Sequence, residues 1–106
     1  MKDYMVSDLL ENYNKYKAQV NMIKMGNIPS QVKEELEDLK ESLETLEVCI
    51  AGLPQEDGEL IRMFFFSGVP GRRLAQKLCM SRATIYRKKD RAIIQIAENF
   101  NKFLKN

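Results

Sequence analysis

Apolar residues recur through the first half of the chain with heptad spacing. Val6, Leu9, Tyr13, Tyr16, Val20 and Ile23 follow at intervals of 3, 4, 3, 4 and 3, and Val32, Leu36, Leu39, Leu43, Leu46 and Ile50 at 4, 3, 4, 3 and 4. A stripe that returns every three or four positions marks an amphipathic helix. The pattern therefore predicts two helices, each about 20 residues and about 30 Å long. Between them, Gly26-Asn27-Ile28-Pro29-Ser30 reads as a stop and a restart. Gly26 suits the left-handed residue that ends a helix, and Ser30 suits the N-cap of the next. Glu34, Glu35, Glu37 and Asp38 then crowd the first turns, where the helix dipole favours negative charge. Equal lengths and a short loop predict an antiparallel hairpin with coiled-coil-like seams.

One stripe per helix leaves Met5, Leu10, Met22 and Met25 uncovered. Two hairpins docked as a four-helix arrangement would cover them. That makes Leu9, Tyr13, Tyr16, Val20, Leu36, Leu39, Leu43 and Leu46 the expected oligomerisation residues of a homodimer or higher homo-oligomer. Packing within one chain alone is the alternative.

Gly52-Leu53-Pro54 breaks the seam. Pro54 suits the first turn of a new helix, with Glu56, Asp57 and Glu59 at its start and Leu60, Ile61, Phe64 and Phe65 on one apolar face. The run Phe64-Phe65-Phe66 is expected in the core. Gly68 ends that helix, and Pro70-Gly71 leads into a short one, Arg72 to Leu78, with Leu74, Ala75 and Leu78 turned inward. Cys79-Met80 makes a tight turn. Ser81 is placed to cap a last helix that starts at Arg82 and continues through Ala92, Ile93, Ile96, Ala97, Phe100, Phe103 and Leu104. The expected fold is all-α in two units: a hairpin over 1–52 for oligomerisation, and a helix-turn-helix bundle over 53–106.

Charge sharpens this division. Residues 1–52 carry six Lys/Arg against ten Asp/Glu, and residues 53–106 carry eleven against five. Within 72–91 stand eight cations (Arg72, Arg73, Lys77, Arg82, Arg87, Lys88, Lys89, Arg91) and one acid, Asp90. A basic stretch this concentrated points to a polyanion. Asp90 is placed either to orient Arg87 or Arg91 or to disfavour a wrong sequence.

The 106-residue composition, 44% hydrophobic and 30% charged, fits an ordered globular chain. With no histidine, His-based acid–base catalysis and His-ligated metal are out of reach. Cys49 and Cys79, thirty residues apart, cannot close a tetrahedral metal site and are expected to be reduced thiols, buried or semi-buried, in a cytoplasmic protein. Gly68-Val69-Pro70-Gly71 is no phosphate loop. No enzyme, metal or cofactor is expected. The longest apolar run, Met63 to Phe66, is far short of a membrane span, and the opening residues hold acid rather than an apolar signal core.

The segment Leu53-Pro54 … Leu60-Ile61-Arg62-Met63-Phe64 … Gly68-Val69-Pro70 … Leu74-Ala75-Gln76-Lys77-Leu78-Cys79-Met80-Ser81-Arg82-Ala83-Thr84-Ile85-Tyr86 … Arg91-Ala92 resembles region 4 of sigma-70-type factors. It is also similar to the small phage and prophage transcriptional regulators of the ArpU and RinA type. The resemblance covers residues 53–97. It implies a helix-turn-helix that binds double-stranded DNA in a sequence-specific way, with RNA polymerase as a further partner. Arg72, Arg73, Ser81, Arg82, Thr84, Tyr86, Arg87, Lys88 and Arg91 are the expected DNA-contacting residues, with Tyr86 equally suited to packing. Three departures stand out. Cys79 takes a turn position that often holds Gly. Pro70 takes a place usually given to a capping Ser or Thr. Lys89 takes a position that is often apolar, so its stem must lie along the core. No sigma region 2 precedes the segment, so neither a complete sigma factor nor promoter melting is expected. The leading expectation is a homodimeric phage-type transcription regulator. The alternatives are a small terminase-like DNA-recognition subunit and a polymerase-binding adaptor without DNA binding.

Overall fold

The computed structural model describes residues 3–26 and 29–104. Among them the chain is all helical: α1 (Asp3–Glu11), α2 (Tyr13–Asn21), α3 (Ser30–Ala51), α4 (Gln55–Ile61), α5 (Gly71–Lys77) and α6 (Arg82–Leu104), with a 3-10 turn at Met22–Met25 and a π turn at Arg62–Phe66. Asn27 and Ile28 of the expected loop, and the side chains of Met25 and Leu104, lie outside what is described.

The first seam is two helices rather than one. Asn12 leaves the helical basin, at φ −110° and ψ 18°. Its side-chain amide donates to the Asp8 carbonyl (3.1 Å) and to Asp8 Oδ1 (3.0 Å). A short polar side chain that bonds nearby backbone in this way competes with the helix and bends it. Tyr16 Oη ties the bend by donating to Asp8 Oδ2 (2.9 Å). Gly26 ends the 3-10 turn with φ 69°, as its position predicts.

Ser30 is not the cap of α3; it is the first helical residue, and Pro29 precedes it. The same device recurs. Pro29, Pro54 and Pro70 stand immediately before α3, α4 and α5, with φ between −50° and −60° and ψ between 143° and 148°. A ring-locked φ fits this extended residue, and proline has no N–H to leave unbonded there. The Pro29 carbonyl accepts from Val32 and Lys33, Pro54 from Gly58, and Pro70 from Arg73 and Leu74.

Apart from Val32, which is 42% exposed, the heptad stripes close within the single chain. Val6, Leu9, Leu10, Val20, Leu43, Leu46, Cys49 and Ile50 share one core with Leu53, Ile61, Ala92, Ile96, Ala97 and Phe100. Both α1 and α3 pack on α6, and α2 packs on α3. The core thus runs across residue 52 without dividing. Of the residues expected to join copies, Leu9, Val20, Leu36, Leu43 and Leu46 are buried by the chain itself, and Tyr13, Tyr16 and Leu39 are half-buried against this core. Leu10, expected to be uncovered, is fully buried, while Met5 and Met22 are exposed. The second half of α6 supplies the missing apolar partner, so the stripes need no second copy.

A smaller core of Leu60, Leu74, Ala75 and Ile85 lies between α4, α5 and the start of α6. The π turn allots the phenylalanines. Its wide Ser67 N–H to Arg62 carbonyl bond (3.0 Å) inserts an extra residue into the turn. Phe64 joins the small core, whereas Phe65 and Phe66 join the large one. Phe66 stacks on Tyr13 at 3.8 Å between ring centres, and its carbonyl accepts from the Asn14 amide (3.0 Å).

Candidate nucleic-acid interface

The turn from α5 to α6 can be followed bond by bond. Cys79 is left-handed, at φ 56°. Met80 N–H donates to the Ala75 carbonyl (2.9 Å), and Cys79 N–H donates to that of Gln76 (3.4 Å). This pair of bonds is the Schellman ending, normally built on glycine. Two residues on, Ser81 caps α6. Its Oγ accepts the Thr84 N–H (3.1 Å) and donates to Thr84 Oγ1 (2.9 Å), and its carbonyl accepts from Ile85 N–H (3.1 Å). Leu74, Ala75 and Ile85 anchor the two helices from inside. Cys79, expected to be at least semi-buried, is exposed at the apex of the turn, whereas Cys49 is buried.

Cations line the outer sides of both helices. Arg72, Arg73 and Lys77 on α5 are exposed, as are Arg82, Arg87 and Arg91 on α6, and Lys88 is half-buried. Among the described residues the ion pairs are Lys17–Glu47 (3.1 Å) and Lys89–Asp90 (3.7 Å). Neither takes a cation of this surface, and Asp90 orients Lys89 rather than Arg87 or Arg91. The first turn of α6 holds no acid, so the positive end of its dipole adds to Arg82. Val69, Arg73, Gln76 and Lys77 line a shallow hollow of about 410 Å³ on the outside of α5.

Tyr86 stands apart from the arginines. A methyl group built on Gly71 would lie 2.6 Å from Tyr86 Oη and 2.8 Å from Cζ, so the phenol lies flush against the glycine backbone at the start of α5. Its ring meets Phe64 edge-on (6.2 Å between centres). The Lys89 ammonium lies 4.9 Å from the Phe64 ring centre and 5.1 Å from that of Tyr86, and the Lys89 side chain is only 19% exposed. The lysine stem therefore lies along the core, as its position requires, with its charge held over two aromatic faces. Tyr86 is a wedge between α5, α6 and the π turn, with one edge in solvent. Packing, one of its two expected roles, is thus met, while the residue stays 37% exposed.

Two residues of the surface escape a search for charge. Ala83 is exposed on the outward line of α6 beside Arg87, and its single methyl lets a partner approach the helix backbone closely. Gln76 lies between Arg73 and Lys77 on α5. The i, i+4 spacing of Ala83 and Arg87 was the available signal for the first. No family model, curated protein or solved structure matches this chain.

Proposed function

We propose that the chain is a sequence-specific double-stranded DNA-binding transcription regulator, with the first turns of α6 in the major groove and α5 lying across it. The observation that carries this is the unpaired cation surface spread over two helices whose mutual placement is fixed by a Schellman turn, a Ser81 cap and a buried Leu74–Ala75–Ile85 contact. Two helices joined by a short turn, the second with its start exposed, make up the helix-turn-helix geometry. In this role Arg82 and Arg87 address base edges, since a guanidinium forks onto guanine. Arg72, Arg73, Lys77, Lys88 and Arg91 suit phosphates, which fix register. Thr84 Oγ1 accepts from Ser81 and keeps its own proton for a phosphate oxygen. Control of transcription, with RNA polymerase as a further partner, follows from the resemblance of residues 53–97.

The test is selection of bound fragments from random duplex DNA, followed by titration of the winner. Five phosphate-neutralising cations would cost about 500-fold in affinity between about 50 and 200 mM salt. Arg87→Ala is expected to lose about 1–3 kcal/mol of discrimination between the selected and a scrambled duplex, with circular dichroism unchanged. Parent-like discrimination by both Arg82→Ala and Arg87→Ala would remove this role from α6.

A further inference from the structure

The far end of α6 carries a second surface. Val48 on α3 and Phe103 on α6 are 55% and 54% exposed, among the most exposed large apolar residues of the described chain. Both stand on the rim of one groove of about 410 Å³, which also reaches Gly52 and Lys102. On the other side of the same pair a hollow of about 350 Å³ is lined by Glu41 and Glu44. An apolar ridge thus has an acidic wall on its α3 side and a cation on its α6 side. We propose that this α3–α6 groove is where two copies of the chain meet about a two-fold axis.

Charge selects a second copy as the occupant. Between Ser30 and Ala51, α3 carries seven acids and two lysines, so two α3 helices laid side by side repel. A two-fold axis that sets α3 of one copy against α6 of the other does the opposite. It places each Lys102 before the partner copy's Glu41 and Glu44, and each Phe103 on the partner copy's Val48. In an isologous contact every such interaction occurs twice. The same acidic wall rejects a polyanion, which separates this groove from the cation surface. Arg82 and Phe103 are 21 positions apart, about 32 Å along the helix, so both surfaces can be engaged at once. Two exposed apolar side chains per copy, Val48 and Phe103, are few beside the roughly 20–30 residues a side of a stable interface, so the pairing is weak in free solution. Two copies held on one duplex face each other at an effective concentration in the millimolar range. That last consequence rests on the proposed DNA binding, whereas the contact itself does not.

The experiment is sedimentation equilibrium of the full chain without DNA, from about 10 µM to about 1 mM, the range a tethered contact requires. The weight-average mass is expected to rise above the 12.3 kDa of one chain. Lys102→Glu should hold it at one chain with circular dichroism unchanged, and adding Glu44→Lys to that variant should restore the rise. A constant mass of one chain throughout, or a rise that Lys102→Glu leaves unaltered, overturns the proposal. A parent that self-associates in this swap-sensitive way but retards no selected duplex supports the groove and removes the DNA role.

Discussion

Cys79 is a non-glycine residue in the left-handed region, at φ 56°, and completes a turn that glycine completes without strain. The Cβ crowding costs about 1 kcal/mol, while glycine would lose somewhat more backbone entropy on folding. Cys79→Gly is therefore expected to stabilise the chain by up to about 0.5 kcal/mol, a rise of about 2–4 °C in thermal midpoint for a domain of about 100 residues. Calorimetry reads this directly, and a lower midpoint would mean that the thiol makes contacts worth more than the strain. The turn at Cys79-Met80 was legible in the sequence, and the resemblance of residues 53–97 marked Cys79 as the position that often holds Gly. Packing of Tyr86 was one of two readings the sequence offered, but its partner was not legible. That packing depends on the close approach of Gly71, fifteen positions away, and local spacing holds no trace of that contact.

At the level of elements, the close approach of Gly71 and Tyr86 adds to the turn, the cap and the buried Leu74–Ala75–Ile85 contact that place α5 against α6. Gly71→Ala would set a methyl group 2.6 Å from a phenol oxygen, closer than real contacts allow, so the Tyr86 ring must leave its place beside the α5 backbone. Tyr86 is 37% exposed and has room to shift, which puts the cost at the low end of overpacking, about 1 kcal/mol. The double change Gly71→Ala with Tyr86→Ala should cost less than the two single changes added together, because the clash vanishes with the ring. Urea unfolding of the four proteins measures the cycle, and simple additivity would rule out the wedge. Element boundaries show where periodicity stops being informative. The stripe of α3 was readable because the helix runs unbroken from Ser30 to Ala51, even though Thr45 Oγ1 donates to the Glu41 carbonyl (2.9 Å). The first stripe was interrupted by Asn12, whose side chain bonds the Asp8 carbonyl, and the π turn hid in a run of phenylalanines that looks uniformly apolar. Periodicity also reveals that a stripe exists without saying what covers it. The cover, Ala92 to Phe100 of α6, comes from the other half of the chain.

Over the whole molecule, the radius of gyration of 15.2 Å exceeds the roughly 13 Å of a compact chain of this length, as two cores strung along one helix require. The larger core is bordered by groups that favour their protonated forms. The Tyr16 pKa is raised by its bond to Asp8, that of Tyr13 by burial and then by Glu47, that of Lys17 by its bond to Glu47, and that of Cys49 by burial. All four shift upward on folding. The stability they add is whole below their unfolded values and is lost as pH rises through the folded ones. An unfolded thiol ionises near about 8.5 and an unfolded phenol near about 10. The urea midpoint should therefore fall from about pH 9 upward, and Tyr16→Phe should flatten part of that fall. A midpoint level to about pH 11 would show that these contacts contribute nothing to folding.

Because α6 enters the small core at Ile85 and the large one from Ala92 onward, the two are locked in rotational phase. Each residue added or removed between those points would twist the arginine-bearing end by about 100° against the body and shift it by about 1.5 Å. In the stretch from Arg87 to Arg91 the tally of residues therefore sets how the two cores are phased.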